Sequence, residues 1–192
     1  MNKIKERIIF LVIPFLIGCA TNSGTTINSN ILTETTSQGI SVGTKDRKAK
    51  LMIPSNNLKT VEERGGGGQR NPNYFYFVDK KVDGIGVDLH FSGWLLPIEK
   101  YTYDEVIDFW VTDRNLDKHF NQEFRKTGNW MVYLYDLPVP ETFTDVFSSH
   151  MRANLLLDDT WIDLHLSITD MKPSKFLHDV LFEYLKTVQI TE

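Results

Sequence analysis

The sequence predicts an α+β domain, in which an antiparallel sheet has two helices packed on it. Three observations lead there. Strand-like segments from Tyr74 onward are separated by short turns, which suit antiparallel neighbours. One capped amphipathic segment interrupts them at Thr102. A second apolar stripe at helical spacing closes the chain. Runs of strands with helices set apart from them describe an α+β layer arrangement.

The elements follow in order. "YFYFV" from Tyr74 reads as a strand, "KKVDG" at 80–84 as a turn, and "IGVDLHFSGWLL" from Ile85 as a longer strand. In that strand Val87, Leu89 and Phe91 recur at every second residue, the period of a half-buried strand. Thr102-Tyr103-Asp104-Glu105 then forms a capping box, in which the threonine hydroxyl and Glu105 satisfy free amides at a helix start. Tyr103, Val106, Ile107, Trp110 and Val111 continue at helical spacing. "WMVYLYDLPV" from Trp130 is a strand stopped by Pro138 and Pro140. "MRANLLLDDTWIDLHLSIT" is a hairpin turning at Asp158-Asp159-Thr160. Pro173 opens the last helix, whose stripe is Phe176, Leu177, Val180, Leu181, Tyr184, Leu185 and Val188.

Upstream the chain changes character. Lys3, Lys5 and Arg7 precede "IIFLVIPFLI", ten uncharged residues from Ile8 to Ile17. A helix crossing a bilayer core needs about 20 apolar residues, so this run reads as the apolar centre of a signal peptide at 1–18. It ends in "LIGC", Leu16 to Cys19, which holds the only cysteine. This motif resembles the lipobox of bacterial lipoprotein precursors. The resemblance implies that the Cys19 thiol takes a diacylglyceryl group, with acyl chains such as palmitate, and that the chain is cut before Cys19. Two or three acyl chains make a durable membrane anchor where one does not. Ala20 stands where, by resemblance to Gram-negative lipoproteins, an aspartate would favour the inner membrane. The implied location is therefore the cell envelope, at the outer membrane facing the periplasm. With one cysteine, no intrachain disulfide can brace the fold.

Residues 19–50 read as a flexible tether. "ATNSGTTINSN" and "TETTSQGISVGT" are too poor in large apolar residues to offset the entropy of ordering them. Such a coil would reach on the order of 30 Å. Leu51-Met52-Ile53 is the first apolar cluster, so a single globular domain is expected over 51–192. Gly65-Gly66-Gly67-Gly68 has no lysine or serine in Walker spacing and reads as a loop.

Two resemblances bear on the globular part. The order β-β-α-β-β-β-α resembles the Mog1/PsbP-like fold, which also places one helix mid-chain and one at the end. "NPNYFYF", "FSGWLLP", "FW" and "RANLLLDDTWIDLHLS" resemble uncharacterised small secreted proteins of proteobacteria. These resemblances imply a fold and no activity.

The chain carries 21 Lys+Arg against 25 Asp+Glu, for a net charge of −4. Removal of 1–18 takes three basic residues and one acidic one, leaving 18 against 24 and a charge of −6. An acidic, unclustered surface excludes the basic stripe that nucleic acid requires. No H-E-x-x-H helix occurs. Ser148-Ser149-His150 sets hydroxyls beside an imidazole, although sequence neighbours rarely face each other.

One internal echo remains. Val87-Asp88-Leu89-His90-Phe91-Ser92 and Ile162-Asp163-Leu164-His165-Leu166-Ser167 share one pattern. Alternation sets Asp88, His90 and Ser92 on one strand face, and Asp163, His165 and Ser167 on another. Were the strands neighbours, Asp88, His90, Asp163 and His165 could converge on a divalent metal. The simpler reading is ordinary polar-face residues, with no metal and no cofactor. Tyr74, Tyr76, Tyr133 and Tyr135 lie opposite Phe75, Phe77, Val132 and Leu134, giving a tyrosine face suited to a partner unless the helices cover it.

The expected function is a lipid-anchored envelope lipoprotein with a non-catalytic binding or accessory domain and a protein partner in the envelope. The alternatives are a periplasmic metal-dependent enzyme using the Asp/His strand pairs, or a toxin-neutralising immunity-type protein.

Overall fold

The structure is a computed structural model that describes residues 29–54, 58–60, 72–79, 88–97, 119–139 and 146–191. Among them eleven strands and one helix are defined: β1 Ile31–Thr36, β2 Gly39–Thr44, β3 Lys50–Ile53, β4 Leu58–Thr60, β5 Tyr74–Asp79, β6 Leu89–Pro97, β7 Phe120–Thr127, β8 Trp130–Leu137, β9 Phe147–Leu157, β10 Thr160–Asp170, α1 Ser174–Thr187 and β11 Gln189–Thr191. They form a four-stranded sheet in the order β1-β2-β3-β11 and a seven-stranded sheet in the order β4-β5-β6-β10-β9-β8-β7. Every pairing is antiparallel. The α+β reading therefore becomes, among the described residues, a mainly β architecture with one helix rather than two. The helix expected at Thr102, the turn at 80–84, the four glycines and Cys19 lie outside the described residues.

The central hairpin follows from its sequence. Ile162, Leu164, Leu166 and Ile168 of β10 and Met151, Ala153 and Leu155 of β9 alternate onto one face and are buried there. The chain reverses at Asp158, which takes φ 49, between the paired residues Leu157 and Thr160. A tight two-residue turn needs this left-handed conformation, and aspartate tolerates it better than most side chains.

Helix α1 lies across that same face. Pro173 sits one position before it, at the N-cap, and Leu177, Leu181 and Leu185 bury its inward stripe completely. Phe176, expected in the stripe, is 41% exposed and belongs to the outer side. After Val188 the chain extends and adds β11 to β3, through Gln189↔Met52 and Ile190↔Leu51. One core forms from both sheets and the helix, joining Ile40, Val42, Leu51 and Ile53 to Phe77, Phe91, Leu164 and Leu181.

The tether expected at 19–50 is thus corrected over its second half. β1 and β2 occupy 31–36 and 39–44, and Ile40 and Val42 are core residues. The Asn30 amide donates to Pro72 O at 2.7 Å, its side chain reaches Asn73 at 2.9 Å, and Arg47 Nη1 donates to Leu95 O at 3.0 Å. These bonds tie the segment to the larger sheet. Gly39, at φ 145, marks a close approach, since a Cβ there would lie 2.0 Å from Ile53 O. The domain begins by Ile31 rather than Leu51. We expect Val42→Ala to cost about 2 kcal/mol in urea unfolding, as for a fully buried methyl pair. A free tether would show no change.

Candidate functional site

The face of the seven-stranded sheet turned away from α1 carries the polar and aromatic residues. Strand alternation places them there, and register aligns them across strands. One row reads Phe124, Tyr133, Arg152, His165, Ser92 and Tyr76. A second sets Tyr135 beside His150, Ser167 and His90. A third runs Asn154, Asp163, Trp94 and Tyr74.

Rings stack along this face. Phe124 to Tyr133 is 4.7 Å between centroids, Tyr133 to Tyr135 4.9 Å, Tyr135 to His150 5.3 Å, and His150 to His165 5.3 Å at an angle of only 6°. His119, just before β7, stacks on Tyr135 at 4.0 Å and bonds Tyr133 OH through Nδ1 at 3.0 Å. His150 uses both nitrogens, Nδ1 to His165 Nε2 and Nε2 to Ser148 Oγ, each at 3.0 Å. Tyr76 OH bonds His90 Nδ1 while the two rings stack. Trp161 Nε1 donates to Asn154 Oδ1 at 3.1 Å.

The electrostatics keep these rings uncharged. Burial, helped by the nearby Arg152 charge, pushes the His150 pKa down to about 4. The same two causes lower His119. Burial, with Tyr135 beside it, raises Tyr133 to about 12. At neutral pH His119 and His150 are therefore neutral imidazoles and Tyr133 a neutral phenol.

Ser148, His150 and His165 have the connectivity of a proton relay, but the chemistry does not follow. An imidazole with a pKa near 4 is a weak base at neutral pH. β9 is paired on both sides, so its amides serve the sheet ladders instead of forming an oxyanion hole beside Ser148. The neighbours Ser148 and Ser149 face opposite ways, and Ser149 meets a different group. On the α1 side, fully buried Asp136 accepts at Oδ1 from Ser149 Oγ (2.6 Å) and His178 Nε2 (3.1 Å), and at Oδ2 from Asn121 Nδ2 (2.7 Å). Burial alone would raise this carboxyl, but the bonds from His178, Ser149, Ser174 and Asn121 hold it down at about 2. Serine and imidazole both bind the carboxylate rather than each other, so this cluster is a brace and not a triad.

The paired strands of the sequence echo are indeed neighbours, β6 against β10. Their antiparallel register sets His90 opposite Ser167, Ser92 opposite His165 and Trp94 opposite Asp163. Asp88 and Asp163 then fall at opposite ends of the pairing, six residues or about 20 Å apart along the strand. His90 is engaged by Tyr76 and His165 by His150. The structure therefore does not assemble Asp88, His90, Asp163 and His165 around one point. Among the described residues no group of three or more His, Cys, Asp or Glu could hold a metal ion.

Tyr74, Tyr76, Tyr133 and Tyr135 share the face opposite the described helix, as alternation implies, but Tyr133 and Tyr135 are buried there at 2% and 5% exposure. His119, His150 and Arg152 were not legible as parts of it. Their alignment depends on the β8-β9-β10 register, which links residues far apart in sequence.

No protein-family model matches the chain, and none of the curated proteins matches it in sequence. Among solved structures the chain is similar to a point mutant of the protein Mog1, at 11% identity and a TM-score of 0.47 over 83% of this chain and 95% of that one. It is similar to the Saccharomyces cerevisiae Ran-binding protein Mog1p, at 12% identity and a TM-score of 0.46 over 84% and 95%. It is likewise similar to the cyanobacterial PsbP of Synechocystis, at 12% identity and a TM-score of 0.47 over 91% and 99%. Likenesses at this level transfer neither partner nor activity.

Proposed function

We propose that the protein is a lipid-anchored envelope lipoprotein whose domain binds a partner without catalysis, through the outer face of the seven-stranded sheet. The observation that supports binding is the exposed rim of the aromatic face opposite α1, where Phe124 stacks on the buried pair Tyr133 and Tyr135 and, like His90, is open to solvent. Aromatic rings with polar rims suit recognition, since each gives contact area at small entropic cost. Phe124, at 58% exposure, extends apolar surface to the β7 edge of the sheet. The anchor is supported by the basic head, short apolar run and "LIGC" ending at Cys19.

Two experiments test the two halves. Cys19→Ser should abolish lipid labelling and leave unprocessed precursor. A variant that still matures and sediments with membranes would remove the anchor. For the binding face, Phe124→Glu together with His90→Glu should abolish cross-linked adducts formed by the parent chain in its own envelope. Lys50→Glu, an exposed change on the smaller sheet, should leave them intact. Adducts insensitive to the face variant would place recognition elsewhere.

A further inference from the structure

Strand β7 ends the seven-stranded sheet among the described residues. Gly128, at φ 57, and Asn129 turn the chain from Thr127 to its partner Trp130, which closes a two-residue hairpin. The closing pair of such a hairpin exchanges both main-chain bonds, and bonded and non-bonded pairs then alternate along the strands. Thr127, Arg125 and Glu123 therefore direct their amides and carbonyls to β8, while those of Phe124 and Lys126 point away from the sheet. Phe124 is 58% exposed, and Glu123 and Lys126 are exposed beside it. Edges guarded against pairing carry charges or proline, yet the middle of β7 is a phenylalanine. The register shift between Phe120 and Glu123 and the charge of Lys126 flank that opening, so only a short, specific ladder fits it.

We propose that two copies of the chain pair through β7, antiparallel and centred on Phe124, to make one continuous sheet. This goes beyond the partner reading and does not depend on it. In that register Phe124 meets Phe124 of the other copy as a hydrogen-bonded pair, with Cα atoms about 5.5 Å apart. On the α1 side Glu123 faces Arg125 of the other copy, and symmetry repeats the contact. These are non-hydrogen-bonded pairs, whose side chains lie closer, and opposite charges there are favourable. Arg125 is already held in place by Glu123 at 2.6 and 2.8 Å, by Asp179 at 2.9 Å and by the Phe182 ring beneath it. Its fork engages each Glu123 oxygen once, and a carboxylate has about four acceptor positions, so room remains for a second guanidinium. A centre at Lys126 would set two lysines opposite each other, and a centre at Gln122 would run the ladder into the register shift. On the outer face the two Phe124 rings meet, so the aromatic row passes from one copy to the other. Both copies use the same edge, so the assembly closes at two.

The test is sedimentation of the full chain in mild detergent over about 1–300 µM, a span suited to a small interface. The parent should pass from monomer to dimer within it. Glu123→Arg sets positive charge against positive across the pairing, and Arg125→Glu sets negative against negative. Each variant alone should stay monomeric over the whole span. Mixed in equal amounts, the two variants face each other with opposite charges at both positions, and the dimer should return. A merely structural role for either residue would give no such recovery. If Arg125→Glu does not fold, Lys126→Pro removes an outward amide without touching the β8 ladder and should keep the chain monomeric. A parent that stays monomeric throughout would leave the edge to a different protein and overturn the pairing. So would variants that dimerise like the parent, or a mixture of the two folded charge variants that stays monomeric.

Discussion

Asp136→Ala should cost about 3–5 kcal/mol in urea unfolding, because it takes the shared acceptor out of a buried hydrogen-bond cluster. The cost comes from what the carboxylate holds. Asp136 is completely buried and joins β8 to β9 through Ser149, to α1 through His178, and to β7 through Asn121. Truncation would leave a hydroxyl at 0% exposure and an imidazole at 3% exposure without their acceptor. Each open group adds a desolvation cost of about 1–3 kcal/mol. Against a domain stability of about 5–15 kcal/mol that loss is a large fraction. Asp136→Asn keeps the shape, loses the charge and should cost less than the alanine change. A loss under 1 kcal/mol for Asp136→Ala would mean that the cluster braces nothing.

The brace also matters to the face behind it. Asn121 takes φ 50 within a register shift between Phe120 and Glu123, and this irregularity aims its amide at Asp136. Asp136 follows Tyr135 in β8, so whatever fixes the carboxylate on one side fixes the phenol on the other. The ring series is therefore held from beneath by a polar cluster.

Much of this could be read from local pattern. β8, the β9-β10 hairpin and α1 carry their own signals: alternation, an Asp-Asp turn, and leucines at helical spacing behind a proline. Where the signal was not local, the reading failed. β1 and β2, "ILTETT" and "GISVGT", hold few large apolar residues, and Ile40 and Val42 become core only because β3 and β11 complete their sheet. β11 comes from the other end of the chain, beyond the reach of composition. β7, "FNQEFRKT", is an edge strand exposed over most of its length, so it shows no buried alternation. The site followed the same division. The faces of Tyr133, Tyr135, His90 and His165 follow from alternation alone. That His150 meets His165, and that Asp88 is far from Asp163, follows only from register.

The last expectation concerns acid. His150 ordinarily titrates at 6.5 but in the fold only at about 4, because burial and the Arg152 charge disfavour its cation. Between those values the unfolded chain binds a proton that the folded chain refuses. Stability is therefore full above pH 6.5 and is lost as pH falls towards 4. At 1.36 kcal/mol per unit the loss is about 3 kcal/mol. His119 is lowered by the same causes and adds to the slope with the same sign. Asp136 acts in a separate window, because its folded pKa of about 2 lies below the ordinary 3.8, so its contribution is lost only as pH falls from about 4 to 2. Urea midpoints taken from pH 7.5 to 3 should thus fall in two stages. His150→Gln, which keeps a neutral hydrogen-bonding side chain, should flatten most of the first stage and leave the second unchanged. A parent curve that is level between pH 7 and 5, or a variant curve that matches it, would show that His150 is not held neutral in the sheet face.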